Sequence, residues 1–124
     1  MTYQWDNKKP TAQMLGRWQP FHDGHYTLFK EIIKKTGQVC IQIRDVQGVD
    51  DNPFDFGTVK RNIEDRLNPE FEGRFKIILV PNITNICYGR GVGYKIEEIV
   101  LDEETQKISA TKIRAKMREE GKLK

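Results

Sequence analysis

The chain has little of what metal, redox and export chemistry usually require. Cysteine occurs twice, at Cys40 and Cys87, and histidine twice, at His22 and His25. The cysteines form no CxxC pair and lie far from the histidines in sequence, so neither a zinc centre nor a disulfide scaffold fits the pattern. No protein-borne metal ligand set is expected. No apolar run approaches the roughly 20 residues of a membrane-spanning helix. Residues 1–10 (MTYQWDNKKP) hold no apolar stretch of the kind a secretory leader carries. Few thiols and no leader read as a reduced, cytoplasmic protein without a membrane partner. An excess of one charge is also missing. The 21 Lys and Arg against 18 Asp and Glu leave +3, too little to argue for a nucleic-acid partner.

What is present suffices for one globular domain. The 124 residues, 37% of them hydrophobic, can bury a core without covalent staples. Residues 1–10 read as a polar lead-in and residues 11–124 as a single domain.

The pattern along the chain alternates. Residues 11–15 form a short candidate strand stopped by Gly16. Residues 16–24, rich in Gly and Pro, read as a loop. A helix follows, with Asp23 as its expected N-cap, Leu28, Phe29, Ile32 and Ile33 as its apolar stripe, and Gly37 as its C-cap. Residues 38–44 (QVCIQIR) alternate as a second strand. After a polar loop at 45–55, Phe56, Val59, Ile63 and Leu67 mark one face of a second helix, capped by Asp55 and ended near Asn68-Pro69. Residues 75–80 (FKIILV) are apolar almost throughout, as strands buried on both faces are. Residues 81–93 read as a loop and 94–101 as a fourth strand. Residues 110–119 read as a last helix with Ser109 as N-cap.

The order β-α-β-α-β-β-α implies an α/β fold with a parallel sheet flanked by helices and right-handed crossovers. Ligands in such sheets bind beyond the carboxyl ends of the strands. That directs attention to the loops at 16–25, 45–55 and 81–93, and to the start of the last helix.

The first of these loops, GRWQPFHDGH (16–25), places two imidazoles three residues apart at the start of a helix. A helix N-terminus offers unpaired N–H groups and a positive dipole end, which suits an anion. Gly24 would let a ligand approach the backbone. The dipole disfavours the charged form of His25 until an anion arrives. The plain alternative is a pair of polar loop histidines. The last helix points the same way. Lys112 and Arg114 stand in its first turns and Glu119 and Glu120 near its end, against the macrodipole. A polyphosphate held by backbone amides, Ser109, Thr111 and Arg114 would compensate. Arg44, at the end of the second strand, could reach a phosphate or pair with Asp45, Asp50 or Asp51. Asp50-Asp51 reads as a cation site or a solvated turn. Arg90, in the glycine-rich YGRGVGY (88–94), reads as a ligand contact or as a solvated turn residue.

GRWQPFHDGH closely resembles the GRFQPFHxGH signature of the HIGH-motif nucleotidyltransferases, the cytidylyltransferase-like superfamily. ISATKIR (108–114) resembles their ISSTxIR or ISGTxIR signature, and the two stand in the expected order. Asn52-Pro53-Phe54 is similar to the NPF segment of archaeal-type nicotinamide mononucleotide adenylyltransferases. The resemblance covers residues 11–118. It implies a Rossmann-like nucleotidyltransferase fold in which a second substrate attacks the α-phosphorus of a nucleoside triphosphate and pyrophosphate leaves. It implies ATP or CTP and a small, phosphorylated acceptor as partners. Adenylyl transfer is favoured because GRWQPFH is nearer the GRFQPFH form than the GTFDxxHxGH form of cytidylyltransferases. The alternatives are a CTP-dependent enzyme and a non-catalytic nucleotide-binding module.

By the same resemblance His22 and His25 act at the α-phosphorus. Gly16, Arg17, Trp18, Gln19, Phe21 and Gly24 line the nucleotide, and Ser109, Thr111 and Arg114 hold its outer phosphates. Arg44 and Arg90 are candidate substrate contacts. Magnesium is implied as a cofactor bound through the phosphates, and homo-oligomers are frequent among the relatives. The chain departs from the family after NPF, where Asp55-Phe56-Gly57 replaces a usual Glu-Arg pair, and it is shorter between the third strand and ISATKIR. Both departures leave the acceptor open.

Overall fold

The computed structural model describes residues 3–46, 52–90 and 93–123. Its strands are β1 (Ala12–Gly16), β2 (Val39–Arg44) and β3 (Phe75–Val80). Helix α1 (Asp23–Thr36) joins the first two and α2 (Phe56–Leu67) the second and third. A short α3 (Glu103–Gln106) and α4 (Ala110–Glu119) follow. The sheet order is β1-β2-β3, and both pairings are parallel. This is one half of a doubly wound sheet, built from two successive βαβ units.

Alternation in β2 explains the core. Val39, Ile41 and Ile43 are fully buried, and they stand in register with Phe75, Ile77 and Leu79 of β3. Met14 of β1 pairs with Ile41. Met14, Val39, Ile41 and Ile43 form one cluster with Phe29, Ile32 and Ile33 of α1 and Val59, Ile63 and Leu67 of α2, and Phe75 and Ile77 pack against it, whereas Leu79 is exposed. The period of 3.6 in each helix places those side chains on one stripe, so both helices bury their apolar faces against the sheet. The intervening strand residues are more polar. Gln13 donates to Gln42 at 2.6 Å.

The helix ends follow their sequence signals with one exception. Gly37 closes α1 with φ 84° and gives its N–H to the Ile33 carbonyl at 2.8 Å, a conformation that favours glycine. Asp55 caps α2 by accepting from the Thr58 amide at 2.8 Å, and Ser109 caps α4. The exception is α1, which begins under His22, not Asp23. The Asp23 carboxylate turns outward to Arg66 at 3.0 Å, leaving the ring of His22 to take the amides.

Two strand expectations differ from the structure. Residues 94–101 form no strand. That stretch alternates poorly, with Glu97-Glu98 adjacent and Ile99-Val100-Leu101 contiguous, so no single face of it could be buried. Tyr94, Ile96 and Val100 are exposed, and only Ile99 packs on the core. Lys35 of α1 meets Glu97 at 3.3 Å. β3 is apolar but lies at the edge of the sheet, with Ile78 and Leu79 partly exposed. The described residues of the lead-in form no strand or helix. It is fastened where the Tyr3 hydroxyl donates to Gln38 Oε1 at 3.0 Å and the Gln38 amide donates to the Asp6 carbonyl at 2.8 Å. No helix among the described residues is long and apolar enough to cross a membrane.

Candidate active site

The site forms where β1 ends. The chain leaves Gly16, passes Arg17 and turns at Trp18 with φ 55°. The indole folds back over Gly16 so closely that a Cβ there would lie 2.7 Å from the ring. Its N–H donates to the Gln42 carbonyl on β2 at 3.1 Å. A buried indole needs such a partner, and this one ties the loop to the sheet. Phe21 packs edge-on against Trp18 at 5.9 Å.

His22 and His25 meet at the head of α1. His22 Nδ1 accepts from the Gly24 amide at 3.0 Å and the His25 amide at 3.4 Å, while the His22 amide donates to His25 Nδ1 at 3.2 Å. This is a capping box made of two imidazoles, each satisfying an orphan donor of the first turn. The rings stack at 3.6 Å with 18° between their planes. Because both Nδ1 atoms accept, both protons sit on Nε2. The pair therefore holds two parallel Nε2–H donors on neutral rings. Gly24 is needed for this geometry, since a Cβ there would stand 2.8 Å from the His22 ring. The glycine admits the ring. Of the first-turn amides, those of Gly24 and His25 are taken by His22.

Burial holds both imidazoles neutral. The His25 pKa is pushed down to about 3, first by burial and then by His22 beside it. Trp18 stands at 4.7 Å from it, nearly perpendicular, and Phe21 at 5.5 Å. The His22 pKa is lowered by burial against a smaller opposing pull from Asp23.

Gln19 and Arg114 are each only 2% exposed. The Gln19 side chain spans 35 residues of sequence to bond the Phe54 backbone twice: its amide donates to the Phe54 carbonyl and its Oε1 accepts the Phe54 amide, both at 2.8 Å. Its own carbonyl accepts from Arg114 Nη1 at 2.5 Å. Arg114 Nη2 reaches the Thr111 hydroxyl at 3.3 Å. Arg17 donates to Asn52 Oδ1 at 3.3 Å. The loop after β1, the NPF segment and the head of α4 are thereby assembled into one site. α3 closes on it as well, with the Thr105 carbonyl 3.5 Å from where a Cβ on Gly24 would stand.

Of the residues singled out by the sequence, the structure brings together Gly16, Trp18, Gln19, Phe21, His22, Gly24, His25, Thr111 and Arg114. Ser109 caps α4 at 3.4 Å to the Lys112 amide. Arg44 lies at the end of β2 and donates to Asn82 Oδ1 at 2.8 Å. Arg90 is exposed in the stretch after β3. Asp50, Asp51 and the Gly91-Val92 part of the glycine-rich loop lie outside the described residues. Sequence reasoning missed Asn52, Asn82 and the Phe54 backbone as partners. The NPF resemblance pointed to the segment that holds two of them, Asn52 and Phe54, but not to their bonds, because a backbone partner leaves no mark in a sequence.

Among the described residues, no three His, Cys, Asp or Glu side chains converge as a metal site. No protein-family model matches the chain. A stretch of 48 residues is 44% identical to the nicotinamide-nucleotide adenylyltransferase of Methanococcus aeolicus, covering 37% of this chain and 28% of that protein. A stretch of 60 residues is 40% identical to the enzyme of the same name from Methanolobus tindarius, covering 44% of this chain and 35% of the relative. In the Methanococcus maripaludis enzyme, 36 residues are 44% identical, 21% of that protein. The match thus spans about a fifth to a third of the length of these relatives.

Proposed function

We propose that the chain is a nucleotidyltransferase that moves the adenylyl group of ATP to a small phosphorylated acceptor and releases pyrophosphate. The observation that carries the reading is the stacked His22–His25 pair, which aims two neutral N–H donors from the head of α1. The similarity to three nicotinamide-nucleotide adenylyltransferases supports the donor and makes nicotinamide mononucleotide the first acceptor to try.

The chemistry asks little covalent work of the protein. An acceptor phosphate oxygen attacks the α-phosphorus, that P–O bond forms, and the bond to the bridging oxygen of the β-phosphate breaks. No proton is taken from the acceptor. Charge grows on the oxygens around the α-phosphorus and on the leaving pyrophosphate. Donors fixed in advance stabilise that charge without reorganising. Neutral imidazoles suit the role, because the approaching anion raises their pKa and strengthens the hydrogen bonds they donate. Ser109 and Thr111 at the head of α4 bring hydroxyls to the outer phosphates. Magnesium would come with the triphosphate, held by phosphate oxygens, and supplies neutralisation of the leaving group.

The test is pyrophosphate release with magnesium, ATP or CTP, and a panel of phosphorylated acceptors that includes nicotinamide mononucleotide. Release that requires ATP and one acceptor, and disappears in His25→Ala, is the expected result. Release with CTP alone makes the chain a cytidylyltransferase. ATP binding without release across the panel makes it a nucleotide-binding module.

A further inference from the structure

The resemblance assigns Gln19 and Arg114 to the nucleotide; in the structure the Gln19 side chain bonds the Phe54 backbone, and Arg114 bonds the Gln19 carbonyl and the Thr111 hydroxyl. Each is buried, and together they join three segments distant in sequence. The Gln19 amide makes a reciprocal pair of 2.8 Å bonds with the Phe54 backbone. The Gln19 carbonyl rests on the Arg114 guanidinium, 95 residues away in the chain. Arg17 to Asn52 is a second tie between the same loops. On either side of Gln19 stand Trp18 and Phe21, the two rings that wall His25.

We infer that Gln19 is a positioning residue, whose clasp on Phe54 and seat on Arg114 hold the Trp18–Phe21 wall against His25. A buried amide satisfied at both ends cannot slide without breaking a pair of bonds, and each group left unpaired then bears its full desolvation cost. The loop that carries the wall is thus locked from both ends, by the segment before α2 and by α4. Freed from that lock, the wall opens, water reaches the imidazoles and the stacked pair loses its fixed Nε2–H form. The charged group that acts on His22 is Asp23 on α1, paired to Arg66 of α2; Arg114 of α4 lies behind Gln19, and α3, packed on α1, carries Glu103 and Glu104. A neutral replacement of Gln19 alters none of their charges. The weight of this role in turnover rests on the adenylyl-transfer reading; the geometry of the imidazoles does not.

The experiment is therefore made first on the free protein. Imidazole nitrogen resonances of His22 and His25 are followed against pH in the wild type, Gln19→Ala and Gln19→Met. The second variant keeps the volume and adds no charge but removes both bonds to the Phe54 backbone, and it is read if Gln19→Ala does not fold. The expected result is a wild-type His25 that stays neutral far below 6.5. In the variants, backbone spectra of β1–β3 should persist while the His25 midpoint rises by at least about one pH unit and its Nε2–H signature weakens. In turnover, kcat should fall about tenfold or more, with a smaller change in KM for ATP. An unchanged His25 signature in a folded variant overturns the inference. A raised KM for ATP with unchanged His25 resonances also overturns it, because it makes Gln19 a nucleotide contact. Failure of pyrophosphate release in the wild type would overturn the enzymatic reading and leave the resonance result to decide the role of Gln19.

Discussion

Residues 12–80 and residues 81–123 are built on different terms. In the first region each helix lays an apolar stripe on the sheet, and Val39, Ile41, Ile43, Val59, Ile63 and Leu67 are sealed from solvent. In the second region several large apolar side chains face outward, among them Ile86, Tyr88, Tyr94, Ile96 at 61% and Val100 at 76% exposed, and Ile99 alone of residues 94–101 packs on the core. Among the described residues there, the deeply buried side chain is a cation, Arg114. Apolar burial therefore holds the first region, at about 25 cal/mol per Å², whereas directional bonds such as Arg114 to Gln19 and Lys35 to Glu97 place the second. The first region supplies the scaffold and the second brings the head of α4 to it.

Breaking this contrast should produce graded effects. The largest is expected in the first core: Ile63→Ala should cost about 2–5 kcal/mol of stability, read as the urea midpoint. Next comes His25→Ala. It should lower turnover by roughly 10²–10³-fold, measured as pyrophosphate release, while the thermal midpoint changes little. Gly24→Ala sharpens the same point. The added Cβ must push the His22 ring aside, so activity should fall by about tenfold or more while stability moves by less than about 1 kcal/mol.

A smaller effect comes from pH. In the folded chain His25 stays neutral down to about 3, whereas an unfolded histidine takes a proton near 6.5. Below 6.5 the unfolded state binds more protons, so stability is full above that pH and declines as pH falls from 6.5 toward 3. His22 acts in the same direction. Urea melts at pH 7 and pH 5 should show the loss, and His25→Gln should reduce it. The smallest effect is expected at the exposed end of the second region. Val100→Ser should change stability by no more than about 0.5 kcal/mol, and a larger loss would show that residues 94–101 are buried in a way the contrast denies.

Legibility in the sequence followed the same divide. The three strands, two long helices and the Gly37, Asp55 and Ser109 caps were readable, because period, alternation and capping chemistry are local. The fourth strand was misread: the residues of 94–101 have strand-forming side chains, yet a strand needs a neighbour in register and a face to bury. β3 was misjudged for a related reason, since its composition is that of a central strand while its place in the sheet is an edge. The cap of α1 was assigned to Asp23 because aspartate is the commoner cap. Gly24 leaves room for a ring, and Arg66 draws the carboxylate away.

Within the site, the sequence by itself determined that two histidines would stand at the head of a helix beyond the first strand and that Ser109 would open the last one. Spacing and local propensity are enough for that. Only the tertiary structure decided that the rings stack, that both protons sit on Nε2, and that Gln19 and Arg114 turn inward to hold the loop. Those outcomes depend on distances between segments 35 and 95 residues apart. They are set by which buried polar groups can find partners once water is excluded.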